Sequence, residues 1–211
     1  MTSIRHKNPG SRRPDALTPT DDGYLDAARE AILAVGWSRT TLTDIARRAG
    51  VSRMTLYRRW PDTQTMLADL MTREWGRVVV EAAGTESPGP DPLHRISRAV
   101  VATVRGLRAN VLLRRIIDVD PELLLPYLLD RRGRSQDSLA GATAAVIRDG
   151  QASGSVRDGD ADVLARSLLL ACHGFALSAH TMTDGAAPSR DADVTAYDAE
   201  LARLVERFLQ P

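Results

Sequence analysis

At 211 residues the chain holds one or two small domains with a real core, and its single cysteine, Cys172, excludes an internal disulfide and a cysteine-based zinc finger. Formal net charge is only +1, but residues 1–61 carry eleven Lys/Arg against six Asp/Glu, net +5, while residues 62–211 carry seventeen against twenty-one, net −4. A basic head on a mildly acidic body focuses attraction for phosphate on one end.

Residues 1–21 are rich in Pro, Gly, Ser and Thr and lack periodicity, which predicts a disordered arm. Its basic residues precede no apolar stretch, so it does not read as a secretory signal. Arg5, Lys7, Arg12 and Arg13 fit either contact with a phosphate backbone or minor groove, or a plain solvated tail. Residues 22–36 form an amphipathic helix with Leu25, Ala28, Ile32 and Val35 on one face and Gly36 at its end.

Residues 41–60 read as two short helices joined by a tight turn. Thr41 with Asp44 three residues on is a capping box, and Leu42, Ile45, Ala46 and Ala49 follow at helical spacing. Gly50 stands where the chain must leave the helix with positive φ, Val51 pins the turn, and Ser52 caps the next helix. That helix runs from about residue 53 to 60 and is stopped by Pro61. Only Leu56 and Trp60 look committed to a core, which leaves Arg53, Met54, Thr55, Tyr57, Arg58 and Arg59 outward. Guanidinium forks match guanine edges or phosphate, and hydroxyls on Thr55 and Tyr57 reach phosphate oxygens. The bare motif also suits an ordinary helix pair with a solvated basic face. The capped helix before it and a long helix over 62–83 after it are what make it specific.

Over residues 22–70 the chain resembles the DNA-binding domain of the TetR/AcrR family of bacterial transcriptional regulators. The resemblance is carried by Gly36-Trp37, Thr40-Thr41-Leu42, Asp44-Ile45-Ala46, Ala49-Gly50-Val51-Ser52, Thr55-Leu56-Tyr57, Trp60-Pro61-Asp62 and Met66-Leu67. It implies an all-α protein in which a helix-turn-helix head (22–66) precedes a helical ligand-binding and dimerisation domain (67–211). It also implies DNA contacts from Thr41, Thr43, Arg53, Met54, Thr55, Tyr57, Arg58 and Arg59. Members often carry a small residue at the place of Met54 and a lysine at that of Thr63. Without that lysine the salt dependence should be shallower by about one unit of slope.

The body reads as helix after helix. Helix 4 carries Met66, Leu67, Leu70, Met71, Trp75 and Val78 at spacings of three and four, and TESPGPDP is a linker by composition. Leu93, Ile96, Val100, Val104 and Leu107 mark a helix over about 92–109. A short one covers 112–117, and PELLLPYLLD is interrupted at Pro126. Further helices cover about 133–151, 160–181 and 192–209, the last two the most apolar. The family resemblance gives these last two a role in pairing with a second copy, through Leu168, Ala171, Cys172, Phe175, Ala179, Tyr197, Leu201, Leu204 and Phe208. Two copies related by a two-fold axis would read an inverted repeat.

The resemblance further implies an effector cavity for a small hydrophobic or amphipathic molecule. Its candidate lining is Met71, Trp75, Leu107, Arg115, Tyr127, His173 and Phe175, with core packing the plainer reading of the apolar members. Catalysis is not indicated. Cys172 and His173 are neighbours on a helix and point about 100° apart, and His173 and His180 sit about 10.5 Å apart along the axis, too far to chelate one ion easily. No cofactor or metal is implied. Cys172 fits a buried inert thiol or an oxidant sensor. No apolar run spans a bilayer, since LARSLLLACHGFALSA is broken by Arg166 and His173, and a cytoplasmic location is expected. The expectation is a homodimeric, ligand-responsive repressor on double-stranded DNA. An activator of the same fold, or a protein-interaction module with a degenerate head, remains open.

Overall fold

A computed structural model describes residues 19–84, 92–184 and 193–211. The expected N-terminal arm therefore lies almost wholly outside the described residues, as does most of the TESPGPDP linker. The described residues are all-α. Helix α1 covers Pro19–Val35, α2 Leu42–Arg48, α3 Arg53–Arg59, α4 Thr63–Gly84, α5 Pro92–Ala109, α6 Val111–Val119, α7 Arg134–Ala152, α8 Ala161–Leu177 and α9 Thr195–Leu209. Two short turns, a 3-10 turn at Pro121–Leu123 and a wider π turn at Pro126–Asp130, fill the stretch that Pro121 and Pro126 prevent from becoming one helix. The helix expected over 160–181 ends at Leu177 and resumes as a 3-10 turn, Ala179–Met182.

The helix caps of the head form, but the box at Thr41 closes on one side only, because the Asp44 carboxylate takes the Thr41 hydroxyl in place of a backbone N–H. The Thr41 hydroxyl accepts from Asp44 N at 3.1 Å and donates to the Asp44 carboxylate at 2.6 Å. Gly36 (φ +86°) and Gly50 (φ +67°) take left-handed conformations that a Cβ would strain, so each ends its helix within one residue. Ser52 Oγ accepts from Thr55 N at 3.2 Å, and Asp62 Oδ1 accepts from Thr65 N at 2.6 Å, which opens α4 directly behind α3.

Among the described residues, two apolar clusters hold the helices together. The first joins Leu25, Ala28 and Ile32 of α1, Trp37, Leu42 and Ile45, Leu56 and Trp60, Met66 and Leu70 of α4, and Leu112 and Ile116 of α6. Tyr24 meets the Trp60 ring edge-on at 6.1 Å, and Trp60 Nε1 donates to Asp69 Oδ2 at 2.7 Å, so this fully buried indole is satisfied at its polar end. Val35, expected on the buried face, is 39% exposed at the helix end. The second cluster joins Ile96, Val101 and Val104 of α5, Ala144 and Ile147 of α7, Leu164 and Leu168 of α8, and Leu201, Val205 and Leu209 of α9.

Charged side chains fasten the head to α4. Arg73, whose side chain is 7% exposed, pairs with Asp22 at 3.3 Å, Asp26 at 2.8 Å and Glu74 at 3.3 Å, and Arg29 reaches Glu74 at 3.2 Å. No described helix is long and apolar enough to cross a membrane.

Candidate functional site

Helix α3 has Leu56 as its one buried residue, which leaves most of its circumference open. Arg53, Met54, Tyr57 and Arg58 are exposed, Met54 by 64% and Tyr57 by 39%. Arg53 lies over the Tyr57 ring with its guanidinium carbon 5.3 Å from the centroid. That stacking holds a cation and a phenol hydroxyl side by side, one helical turn apart. Thr55 is half-buried, and its hydroxyl is shared with Ser52 Oγ at 2.8 Å.

Arg59 departs from expectation. It is not an outward residue: its Nε pairs with Asp21 Oδ1 of α1 at 3.1 Å, and its guanidinium stacks on Trp60 at 5.4 Å. The angular step from Arg58 to Arg59 carries the side chain from the solvent face to the α1 side of the helix. Thr43 is exposed on α2, and Thr41 is occupied with its cap. Sequence reading left out Arg39, Arg47 and Arg48, which are exposed around a hollow of about 180 Å³ beside Ala31, Val35 and Asp44. The charge excess of residues 1–61 is the signal that pointed to them.

A polar joint connects this head to the body. Asp120, just after α6 and 4% exposed, accepts from Trp37 N at 2.7 Å and from Ser38 N at 3.3 Å, and it also accepts the Ser38 hydroxyl. Burial alone would raise its pKa, but the Ser38 and Trp37 hydrogen bonds win and hold the carboxyl below the ordinary aspartate value.

The residues expected to line one effector cavity are dispersed. Leu107 lines an open cleft of about 310 Å³ where α5, α6, the end of α8 and the start of α9 converge, together with Arg105, Arg108, Leu113, Arg114, Ile117, Ala176, His180 and Val194. Met71 packs against the first cluster and Phe175 against the second. Trp75 is half-buried on α4. Arg115 sits on the flank of α6 away from Leu113 and Ile117, with a buried Nε that has no hydrogen-bond partner. Tyr127 and His173 are brought together by a residue not anticipated: Gln136 Nε2 lies 3.2 Å from both the Tyr127 carbonyl and His173 Nε2, and its Oε1 accepts from Gly133 N at 2.7 Å. Burial lowers the His173 pKa, which keeps the ring neutral near pH 7.

The residues expected at a pairing surface also divide. Leu168, Ala179 and Leu201 are buried within the chain itself, 5%, 6% and 0% exposed, so their place is the core and a second copy would not reach them. Ala171 and Leu204 are exposed, while Cys172, Phe175, Tyr197 and Phe208 are half-buried. Desolvation pushes the Cys172 thiol up to about 11, so it stays protonated and fits the inert reading over the sensor.

Residues 25–70 match the profile of bacterial regulatory proteins of the tetR family. An uncharacterized HTH-type transcriptional regulator of Mycobacterium tuberculosis, Rv2250c, is 38% identical over 151 residues, 72% of this chain and 77% of that one. The M. tuberculosis HTH-type regulator AlkX is 40% identical over 58 residues, 28% of each chain. Among solved structures, the TetR-family transcriptional repressor QsdR of R. erythropolis superposes with a TM-score of 0.66 at 19% identity, covering 90% of this chain and 94% of that one. FadR from Bacillus subtilis, solved with stearoyl-CoA, gives 0.60 at 14% identity over 90% and 99%. These are transcriptional regulators and not enzymes. An exposed, arginine-bearing α3 on a capped three-helix head, together with a relative of this identity and coverage, places the chain in the tetR family of bacterial regulatory proteins.

Proposed function

We propose that the protein is a homodimeric transcriptional repressor that binds an inverted-repeat operator through α3 and is released by a small-molecule effector. The carrying observation is the composition of α3: one buried residue, Leu56, and an exposed set of Arg53, Met54, Tyr57 and Arg58. Arg53 supplies a bidentate fork for a base edge, Met54 an apolar contact for a thymine methyl, and Tyr57 and Arg58 reach phosphates. Thr41, Thr43 and Thr55 serve as supporting hydroxyls, and Arg39, Arg47 and Arg48 extend the phosphate track. Arg59 acts from behind, by fixing α3 to α1. Work on chromosomal DNA fits a cytoplasmic location. The functional division is an arm (1–21), a reading head (22–66) and a controlling body (67–211).

Pairing through α8 and α9 is supported by their outward apolar side chains, Val163 at 52%, Leu170 at 71% and Leu204 at 54% exposed. Effector control is supported by the Asp120 joint, because α6 both walls the cleft and ends on the carboxylate that holds the α1–α2 corner. An effector acts only through a difference in affinity between the DNA-competent and released states.

Footprinting on the promoter beside the protein's own gene, at fixed salt, tests the reading. Arg53→Ala is expected to relax base preference at one position per half-site and to cost about 1–3 kcal/mol. Tyr57→Phe is expected to weaken specific and non-specific binding alike. Unchanged affinity in both variants removes α3 as the reading helix.

A further inference from the structure

In the cleft between α5, α6 and the α8–α9 corner, two arginines face one carboxylate. Arg105 Nε donates to Asp198 Oδ2 at 2.7 Å, and Arg108 Nη2 donates to Asp198 Oδ1 at 2.5 Å. Two guanidiniums thus share one carboxylate, itself 4% exposed, and the trio keeps a net positive charge. Arg108 also donates to the Phe175 carbonyl at 3.4 Å, and Arg114 Nε donates to the Arg108 carbonyl at 2.8 Å. Three cationic side chains are therefore held in position around one opening before any ligand arrives, which lowers the ordering cost of binding. The Arg105 side chain is 56% exposed, so donors beyond the one spent on Asp198 meet solvent. Beside these arginines the lining includes the apolar Leu107, Leu113, Ile117 and Ala176, and also His180.

We propose that this cleft binds an amphipathic organic anion, a carboxylate on a short apolar body. Arg105 and Arg108 take the head group, and Leu107, Leu113 and Ile117 take the body. A guanidinium pair offers the planar forks that a carboxylate accepts bidentately. The volume of about 310 Å³ lies at the small end of the ligand-pocket range of about 300–1,000 Å³, which suits such a short body. Leu113 and Ile117 belong to α6, so an occupied cleft bears on the helix whose far end carries Asp120. That regulatory consequence rests on the reading of the protein as a ligand-released DNA binder; the site does not.

Calorimetric titration of the full chain with octanoate, octanol, octyltrimethylammonium and inorganic phosphate tests the site. Expected are saturable octanoate binding that weakens with added salt, and no saturable binding of octanol or the ammonium. Arg105→Gln leaves Arg108 on Asp198, so the fold should persist while octanoate affinity falls about tenfold. Phosphate that displaces octanoate identifies the guanidiniums as the anchor. Equal binding of octanol, preference for the ammonium, phosphate binding without octanoate binding, or octanoate binding unaltered in Arg105→Gln overturns the proposal. Should Arg105→Gln unfold, the salt dependence and the three head-group arms on the unaltered chain still decide. Gel shifts on the promoter beside the gene separate the two readings. Octanoate that binds as expected but leaves the DNA complex intact upholds the site and removes ligand-controlled release. Release by another small molecule, with no octanoate binding, does the reverse.

Discussion

Asp120 accepts three hydrogen bonds from residues 82 and 83 positions away, and they come from a corner where Gly36 leaves no room for a side chain. A Cβ on Gly36 would stand 2.9 Å from both Asp120 Oδ2 and Val119 Cγ1, at a backbone φ of +86°. Gly36→Ala is therefore expected to cost at least the 1–3 kcal/mol typical of a forced left-handed residue, about, and to loosen the Asp120 contact. Asp120→Asn should cost about 1.5–3 kcal/mol, the range for a hydrogen bond to a charged group. Its folded pKa is depressed, so its stabilisation is fully present above the unfolded value near 3.8 and is lost as pH falls through the folded value. Denaturant midpoints measured as pH is lowered below 4, about the unfolded pKa, should fall more steeply for the natural chain than for Asp120→Asn; parallel curves would show that the joint carries no such charge dependence. Thr41, Gly50 and Ser52 were legible in the sequence because their partners lie within a few residues. Asp120, Asp198 and the Gln136–His173 contact were not, because those partners arrive from 37 to 93 positions away.

At the scale of an element, α3 is short, seven residues, and packing against α2 and the first cluster holds it in place more than its own propensity does. Leu56 enters the first cluster, and Arg59 ties the helix end to Asp21. Neighbouring arginines consequently do different things. Arg59→Ala removes one contact from the largely buried Asp21 carboxylate and should lower the thermal midpoint by several degrees, a loss of about 1–3 kcal/mol. Arg58→Ala, at an exposed position, should leave the midpoint unchanged and reduce DNA affinity. Thermal melts and gel shifts on both variants check this, and equal melting losses would show that Arg58 also packs. Sequence periodicity located the helices well, since burial on one face imposes the 3.6 repeat. Between Leu123 and Asp130 it gave an interruption at Pro126 but not the kind of turn, a wider π turn that begins at that proline. It also ran α8 on past Leu177 because Ala179 continues the apolar spacing.

Across the whole molecule, two cores divide the work: one binds the head to α4 and α6, and the other binds α5, α7, α8 and α9. Apolar surface left over on α8 and α9 is what a second copy would cover. Leu170→Glu, at a residue 71% exposed, should shift sedimentation from dimer to monomer without loss of helicity. An unchanged sedimentation coefficient for Leu170→Glu and Leu204→Glu alike would remove α8 and α9 as the pairing surface. The sequence by itself determined the all-α class, the capped helix-turn-helix and the arginine-bearing face of α3, because caps, turns and amphipathic stripes are written in residues three or four apart. Only the tertiary structure decided which apolar positions of α8 and α9 belong to the chain's own core, that Arg59 faces inward, and that Arg105 and Arg108 converge on Asp198. Those outcomes depend on how helices distant in sequence are rotated against one another, and a periodic stripe records that a face is buried without recording what buries it.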